Sequence, residues 1–329
     1  MADDAYRALR TAAAVRVVGR DVLRVSGPDA ASYLQGQVSQ DVEGLATGGS
    51  ADSLLLSPQG KVEAYVRITR TGDESFVIDT DAGWGGVVDA RLRRFRLRVK
   101  AELEPLPWVC VAVRGPRAVE AVAAGGSEGT TGDGGERVAV GPALALAVDW
   151  PGFTGVDLLG PVPSGGPASW VDPSVVRADA EAWEAARIEA GVPVNGREIV
   201  EGTIAAEVGL VERTVSFTKG CFTGQELVAR LDARGSKVAR SLCGVVVGGD
   251  GGGAEPAPPV GAAVWTTEGE HQVGTLSSLA WSPGLRTTVA LATLHRRVQP
   301  PEPVAVRWTD DDGVDRQVRA EARPLPLSD

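Results

Sequence analysis

The sequence predicts an α+β protein: two related units of short strands and helices, followed by an all-β module. Three observations carry this expectation. Strand-like and helix-like runs alternate on an antiparallel plan through the first half of the chain. The pattern V-x-G-P-x-A occurs at Val25-Ser26-Gly27-Pro28-Asp29-Ala30 and again at Val113-Arg114-Gly115-Pro116-Arg117-Ala118, each time after a strand and before a helix, as related units would show. A Gly/Pro-rich stretch at 248–261 then separates a series of short strands from everything before it.

Taken in order, residues 5–14 read as a helix and 21–25 as a strand. Gly27-Pro28 turns the chain into a helix over 29–38, with Pro28 where a helix start accepts it. Strands at 53–56, 61–69 and 75–79 are divided by Ser57-Pro58-Gln59-Gly60 and Thr71-Gly72-Asp73. A helix near 84–94 follows. From Phe95, apolar Phe95, Leu97 and Val99 alternate with basic Arg96, Arg98 and Lys100, which predicts a strand with one buried and one cationic face. The second cycle runs through a strand at 109–113 and a helix at 117–124. Residues 125–135 are glycine-rich and polar, the composition of a disordered surface excursion. Strands follow through 149 and around 155–159. Residues 179–190 predict a helix with Ala182, Trp183, Ala186 and Ile188 as a partial apolar stripe. The connection 191–218 is long and turn-rich without low complexity, which marks a segment with a job. Strands at 241–247, 263–266, 272–280, 287–294, 304–308 and 316–321 predict a barrel or sandwich. The expected division is 1–106, 107–238 and 239–329, with the first two parts able to interleave.

Composition narrows the function. A length of 329 residues accommodates two or three domains, each with its own core. No apolar run approaches the roughly 20 residues of a membrane span. Residues 1–10 carry Asp3 and Asp4 and no apolar segment, unlike a secretory signal. The three cysteines, Cys110, Cys221 and Cys243, are widely separated, so a reducing, cytoplasmic setting is expected. A net charge of −10 disfavours direct binding of nucleic acid. The two histidines, His271 and His295, have no partners at metal-ligand spacing, so no metal site is expected. No Ser-His-Asp set, P-loop or GxGxxG stands out. Against the acidic background, residues 91–100 hold six basic residues in ten. They read either as a solvated sheet face or as a landing strip for a polyanion, such as a ligand's glutamate tail or an acidic partner.

The densest chemistry lies at Lys219-Gly220-Cys221-Phe222-Thr223-Gly224-Gln225-Glu226, followed by an amphipathic helix over 227–235 that glycine stops. Thr223 and Glu226 have capping-box spacing, which would make Glu226 structural. Lys219 and the nearby helix start both favour a Cys221 thiolate, which would make Cys221 reactive. A free cysteine is also often only a small buried hydrophobe.

Together these segments resemble the YgfZ-type folate-binding proteins, a branch of the aminomethyltransferase (glycine-cleavage T-protein) superfamily. The resemblance spans nearly the whole chain. It rests on residues 33–42 (YLQGQVSQDV), on Arg187-Ile188-Glu189-Ala190-Gly191-Val192-Pro193 with Gly196 and Glu198, and on Ala206-Glu207-Val208-Gly209-Leu210. Lys219 to Arg230, and Gly274-Thr275-Leu276-Ser277-Ser278 with Ser282-Pro283, complete it. The resemblance implies a three-domain ring with two ferredoxin-like α+β units, a C-terminal β-barrel and a central channel for tetrahydrofolate. Glu207 matches the carboxylate that holds the pterin, whose 2-amino and N3 hydrogens are parallel donors suited to one carboxylate. Arg230 and Arg240 are candidates to balance the folate carboxylates.

One departure matters. The aspartate used by aminomethyltransferases is missing from Gly60-Lys61-Val62-Glu63-Ala64-Tyr65, and Glu63 is one residue early, which in a strand points it to the opposite face. The resemblance therefore implies a folate-binding accessory protein, not an active aminomethyltransferase. Its expected role is to support iron–sulfur cluster assembly or repair and, through it, enzymes such as tRNA methylthiotransferases. The expected partners are folate and iron–sulfur client or assembly proteins, with the protein itself a monomer. In that role Cys221 is the expected redox or transient-ligand residue. The competing readings are a tetrahydrofolate-dependent one-carbon transferase or demethylase, and a structural or interaction module whose folate pocket is vestigial.

Overall fold

A computed structural model gives the fold and describes residues 2–123, 143–233, 235, 238–248 and 257–327. Helix α1 (Ala2–Thr11) precedes strands β1 (Ala14–Val18) and β2 (Arg20–Ser26), and Gly27-Pro28 leads into α2 (Ala30–Gln37). Next come β3 (Ser50–Leu56), β4 (Val62–Gly72), β5 (Ser75–Asp81), α3 (Gly85–Arg94) and β6 (Glu102–Leu106). The second cycle holds β7 (Trp108–Arg114), α4 (Ala118–Ala123), β8 (Leu144–Val148), β9 (Gly155–Pro161), β10 (Val176–Arg177) and α5 (Ala180–Ala190). A connection bearing the short helices α6 (Val211–Thr214) and α7 (Gln225–Asp232) then reaches the third body. There β11 (Arg240–Val247), β12 (Ala263–Thr266), β13 (Gln272–Ser282), β14 (Thr287–His295), β15 (Glu302–Thr309) and β16 (Asp315–Arg323) close a barrel in the order β11-β14-β13-β12-β15-β16.

The two α+β sheets are ordered β3-β4-β5-β2-β6 and β10-β1-β7-β9-β8. Strand β1 pairs with β7 from Ala14↔Arg114 to Val18↔Cys110, so the first unit is inserted in sequence between two neighbouring strands of the second sheet. The connection after α5 likewise crosses between bodies. Ile199, Ala205, Val208, Leu210, Val215 and Val228 share a core with Leu54, Leu56 and Val62 of the first sheet.

The repeat is structural. Gly27 (φ 134°) donates its N–H to the carbonyl of Glu74, just before β5, and Gly115 (φ 122°) donates to Thr154, just before β9. A Cβ at either position would lie 2.4–2.5 Å from a carbonyl oxygen, Lys100 O or Ala12 O, so glycine is the residue that fits both turns.

The two sheets meet through Val22, Val77, Cys110, Leu146 and Leu159, and through a buried charge cluster. Arg67 grips Asp79 with two bonds at 2.9 and 3.0 Å and reaches Asp157 at 2.8 Å. Arg114 meets the other oxygen of Asp157 at 2.8 Å, and Arg20 bonds Asp79 and Asp81. Burial pushes the Cys110 thiol well up, the mark of an inert structural cysteine.

The expected basic strand is corrected. Helix α3 ends at Phe95 and the chain turns, with Arg98 in the left-handed region (φ 61°) and Arg96 Nη1 donating to Ala101 O at 2.8 Å. The next strand, β6, starts only at Glu102 and takes the place beside β2. Phe95 and Leu97 are exposed instead of forming a buried face. The expected 5–14 helix also stops early, because β1 begins at Ala14. The predicted excursion at 125–135 lies outside the described residues.

The charge cluster sets an acid limit. Arg114 and Arg67 hold the Asp157 carboxyl at about 2, below the ordinary 3.8, against the opposing effect of burial. Its contribution, on the order of 2 kcal/mol, is present above about pH 4 and is lost as pH falls toward 2, because unfolding then binds a proton. Denaturant titrations across this range should show that loss. Asp157→Asn should remove that part of the acid dependence and cost about 3–5 kcal/mol at neutral pH, since it leaves buried arginines short of a counter-charge.

Candidate ligand-binding cavity

Helix α5 is framed by its own sequence. The Asp179 side chain caps it by accepting from Ala182 N at 2.8 Å, and Gly191 (φ 72°) ends it. Its buried face carries two charged residues, Arg187 and Glu189. Glu189 accepts from Tyr6 at 2.7 Å, from Arg10, and from Ser282 of β13 at 2.5 Å. Burial and this carboxylate push the Tyr6 hydroxyl up to about 12. Arg187 donates to Glu184, to Val192 O, to Glu198 at 3.1 Å and to Ser278 at 2.5 Å. Glu198 also accepts from Ser277 at 2.8 Å and Ser278 at 2.6 Å. The central and C-terminal motifs therefore bind one another and fix α5 to the barrel. Asn195 fixes the same segment to the first sheet, through Tyr65, Thr80 and Asp81.

This frame borders a half-open cavity of about 1780 Å³ lined by α5, the connection after it and the barrel. Trp183 and Glu184 line it from α5; Arg197, Glu201 and Glu207 from the connection; Arg240, His271, Trp281, His295 and Arg297 from the barrel. Trp183 is held from behind by Trp150 and by Arg114, whose guanidinium lies 5.2 Å from its ring centre.

Glu207 sits in a 3-10 turn, Ala205–Val208, whose Ala205 and Val208 are anchored in the core. Its Oε2 accepts from Ile204 N at 3.2 Å, and its Oε1 has no hydrogen-bond partner among the described residues. Of the residues expected from sequence, Glu207 and Arg240 share the cavity wall. Arg230 lies exposed on α7, and Lys219, Cys221 and residues 91–100 do not line the cavity either.

Lys219 has a different environment from the expected one. Its ammonium donates to Gln35 O, Val38 O and Gln40 O at 2.7, 2.8 and 2.7 Å, closing the C-terminal end of α2. Burial pushes it down to about 8. All three of its donors are thus used on backbone, while the Cys221 side chain is exposed. The Thr223–Glu226 capping box is also corrected. The cap of α7 is Gly224 (φ 83°), which makes no side-chain bond, and a Cβ there would meet Ser57 O at 2.5 Å. Gln225 instead accepts from Phe222 N at 3.2 Å. Glu63 pairs with Arg91 at 2.7 Å and stays out of the cavity wall.

Sequence reasoning missed Glu184, Arg197 and Glu201 on α5 and the connection after it, and His271, Trp281, His295 and Arg297 on the barrel. His295 lies opposite Arg240 in the β11–β14 pairing. Neither histidine carries a motif, so only strand register could have placed them. Trp183 was visible as part of an apolar stripe, without any sign that one edge faces a cavity.

Comparison with known proteins agrees with this geometry. No protein-family model matches the chain. Its fold is that of an aminomethyltransferase: the glycine cleavage system aminomethyltransferase T from Bartonella henselae superposes with a TM-score of 0.82 over 99% of this chain and 89% of that one, at 20% identity. Among sequence relatives, the tRNA-modifying protein YgfZ from Edwardsiella ictaluri is 29% identical over 219 residues, 65% of each chain. The iron-sulfur cluster assembly factor IBA57 homolog, mitochondrial, from Neurospora crassa is 26% identical over 239 residues, 67% of this chain but 50% of that one. The chain thus matches about half to two thirds of the length of these two relatives. Its sequence relatives are thus of the YgfZ and IBA57 type, and its fold is that of an aminomethyltransferase.

If Lys219 closes α2, Lys219→Met should lower stability by about 1–3 kcal/mol, the cost of leaving buried carbonyls unpaired. Cys221→Ala should stay within about 0.5 kcal/mol of the parent, as exposed substitutions do. Urea denaturation of both variants checks this.

Proposed function

We propose that this protein binds tetrahydrofolate or a derivative in the cavity and supports iron–sulfur cluster assembly or repair, and through it tRNA-modifying iron–sulfur enzymes. The observation that carries the folate assignment is the Glu207 carboxylate on the wall with one oxygen unengaged among the described residues. A carboxylate oxygen accepts more than one hydrogen bond, so the contact to Ile204 leaves both oxygens available to parallel pterin donors. The exposed Trp281 offers an apolar ring on the wall, beside an edge of Trp183, and Arg240 on the barrel suits an anionic tail.

The iron–sulfur part draws on the printed names of the two relatives and on the exposed Cys221. Among the described residues no three His, Cys, Asp or Glu side chains are grouped to hold a metal. A cluster would be cargo shared with a client or assembly protein, since a cluster usually takes about four ligands. Among the described residues no helix is long and apolar enough to cross a membrane. The proposed setting is the cytoplasm, with the protein as a monomer. Methylene transfer from an amine has no support from Glu63, which is committed to Arg91.

Calorimetric titration with tetrahydrofolate and 5-formyltetrahydrofolate tests the site. Wild type should bind saturably, and Glu207→Ala should lose about 2–4 kcal/mol, roughly 30-fold or more in affinity. Wild-type protein that binds neither folate would remove the assignment.

A further inference from the structure

The turn that replaces the expected basic strand has no part in the cavity, and only Val99 of it packs against the core. It carries Arg94, Arg98 and Lys100, all exposed, and none of the three side chains makes an ion pair or hydrogen bond among the described residues. Between them Leu97 is 86% exposed and Phe95 39% exposed. The neighbouring carboxylates are otherwise engaged: Asp89 holds Arg93, Glu104 holds Arg24, and Asp29 accepts from the Lys100 backbone N–H at 2.8 Å. Glu102, on the adjoining strand, makes no side-chain bond among the described residues.

The turn is also anchored. Its far end is tied by the Asp29–Lys100 contact and by Lys100 O, which fits against Gly27 where a side chain would clash. At its near end the Phe95 ring rests on Arg91, 4.1 Å from the guanidinium carbon. Arg98 holds a left-handed conformation that is unfavourable for a residue with a side chain. An exposed leucine displayed on a fixed turn among unpaired cations has the composition of an interface: apolar and aromatic anchors with arginine. A fixed turn also loses little freedom on binding.

We propose that the ridge from Arg94 to Lys100 is a docking surface for a partner protein that presents an acidic face with an apolar or aromatic anchor for Leu97. Charge decides the class of partner. The chain is acidic overall, with a net charge of −10, which works against the long uniform phosphate backbone of RNA, whereas a local acidic patch needs only the local cations. This inference is independent of the folate reading, since no ridge residue lines the cavity.

Fluorescence anisotropy at low salt, with labelled polymers as probes, tests it. The probes are a glutamate–tyrosine copolymer, poly-glutamate and poly-uridylate. The copolymer should bind most tightly and weaken with salt. R94E/R98E/K100E should lose at least about tenfold, and Leu97→Ser should lose the copolymer's advantage over poly-glutamate. Folate binding and thermal unfolding of both variants should match wild type, separating this result from misfolding and from failure of the folate site. Copolymer binding that is unchanged in the triple variant would overturn the proposal. So would poly-uridylate binding more tightly than the copolymer through the same residues, which would make the ridge an RNA contact.

Discussion

Arg187, Glu189 and Glu198 place charge in the interior of the protein, and the rest of the structure depends on how that charge is satisfied. An unpaired buried charge costs several kcal/mol, so each of these groups requires its partners in place. Those partners come from three separate places: Tyr6 and Arg10 on α1, Glu184 on α5 itself, and Ser277, Ser278 and Ser282 on β13. The N-terminal helix, the central helix and the barrel are therefore coupled through one network. Hydroxyls suit this role because each can donate to a carboxylate while accepting elsewhere, as Ser282 does from Leu285 N.

The cavity follows from that network. Once α5 and the connection after it are fixed to the barrel on one side and to the first sheet by Asn195 on the other, they cannot close the space between them. The buried charge cluster between the two sheets reaches the same wall, since Arg114 binds Asp157 with one nitrogen and stacks on Trp183. Residues that hold the frame and residues that line the cavity are thus largely different sets. Arg187, Glu189 and Asn195 hold, while Glu207, Trp183 and Arg240 face the space.

Much of the fold was legible because local chemistry and tertiary structure agree. Asp179 and Gly191 bracket α5 as cap residues do, and Gly/Pro punctuation separates the barrel strands. What was hidden depends on long-range pairing. Nothing local reveals that β1 leaves its neighbour in sequence and pairs with β7. The alternation at 95–100 mimicked a strand, but the sheet position beside β2 goes to β6 and the residues turn. In the site, Glu207 stood out only through motif resemblance, and the barrel contributions came from register. Lys219 shows the limit of reading neighbours in sequence as neighbours in chemistry: it stands two residues from Cys221, yet its ammonium is enclosed by three carbonyls of another segment.

The most direct check of this account is a crystal structure of the protein with 5-formyltetrahydrofolate. The account predicts density for the pterin in the cavity, with its 2-amino group and N3 within hydrogen-bond distance of Glu207 and the glutamate tail running toward Arg240. A pterin bound away from Glu207, or the ligand seated outside the cavity, would contradict it.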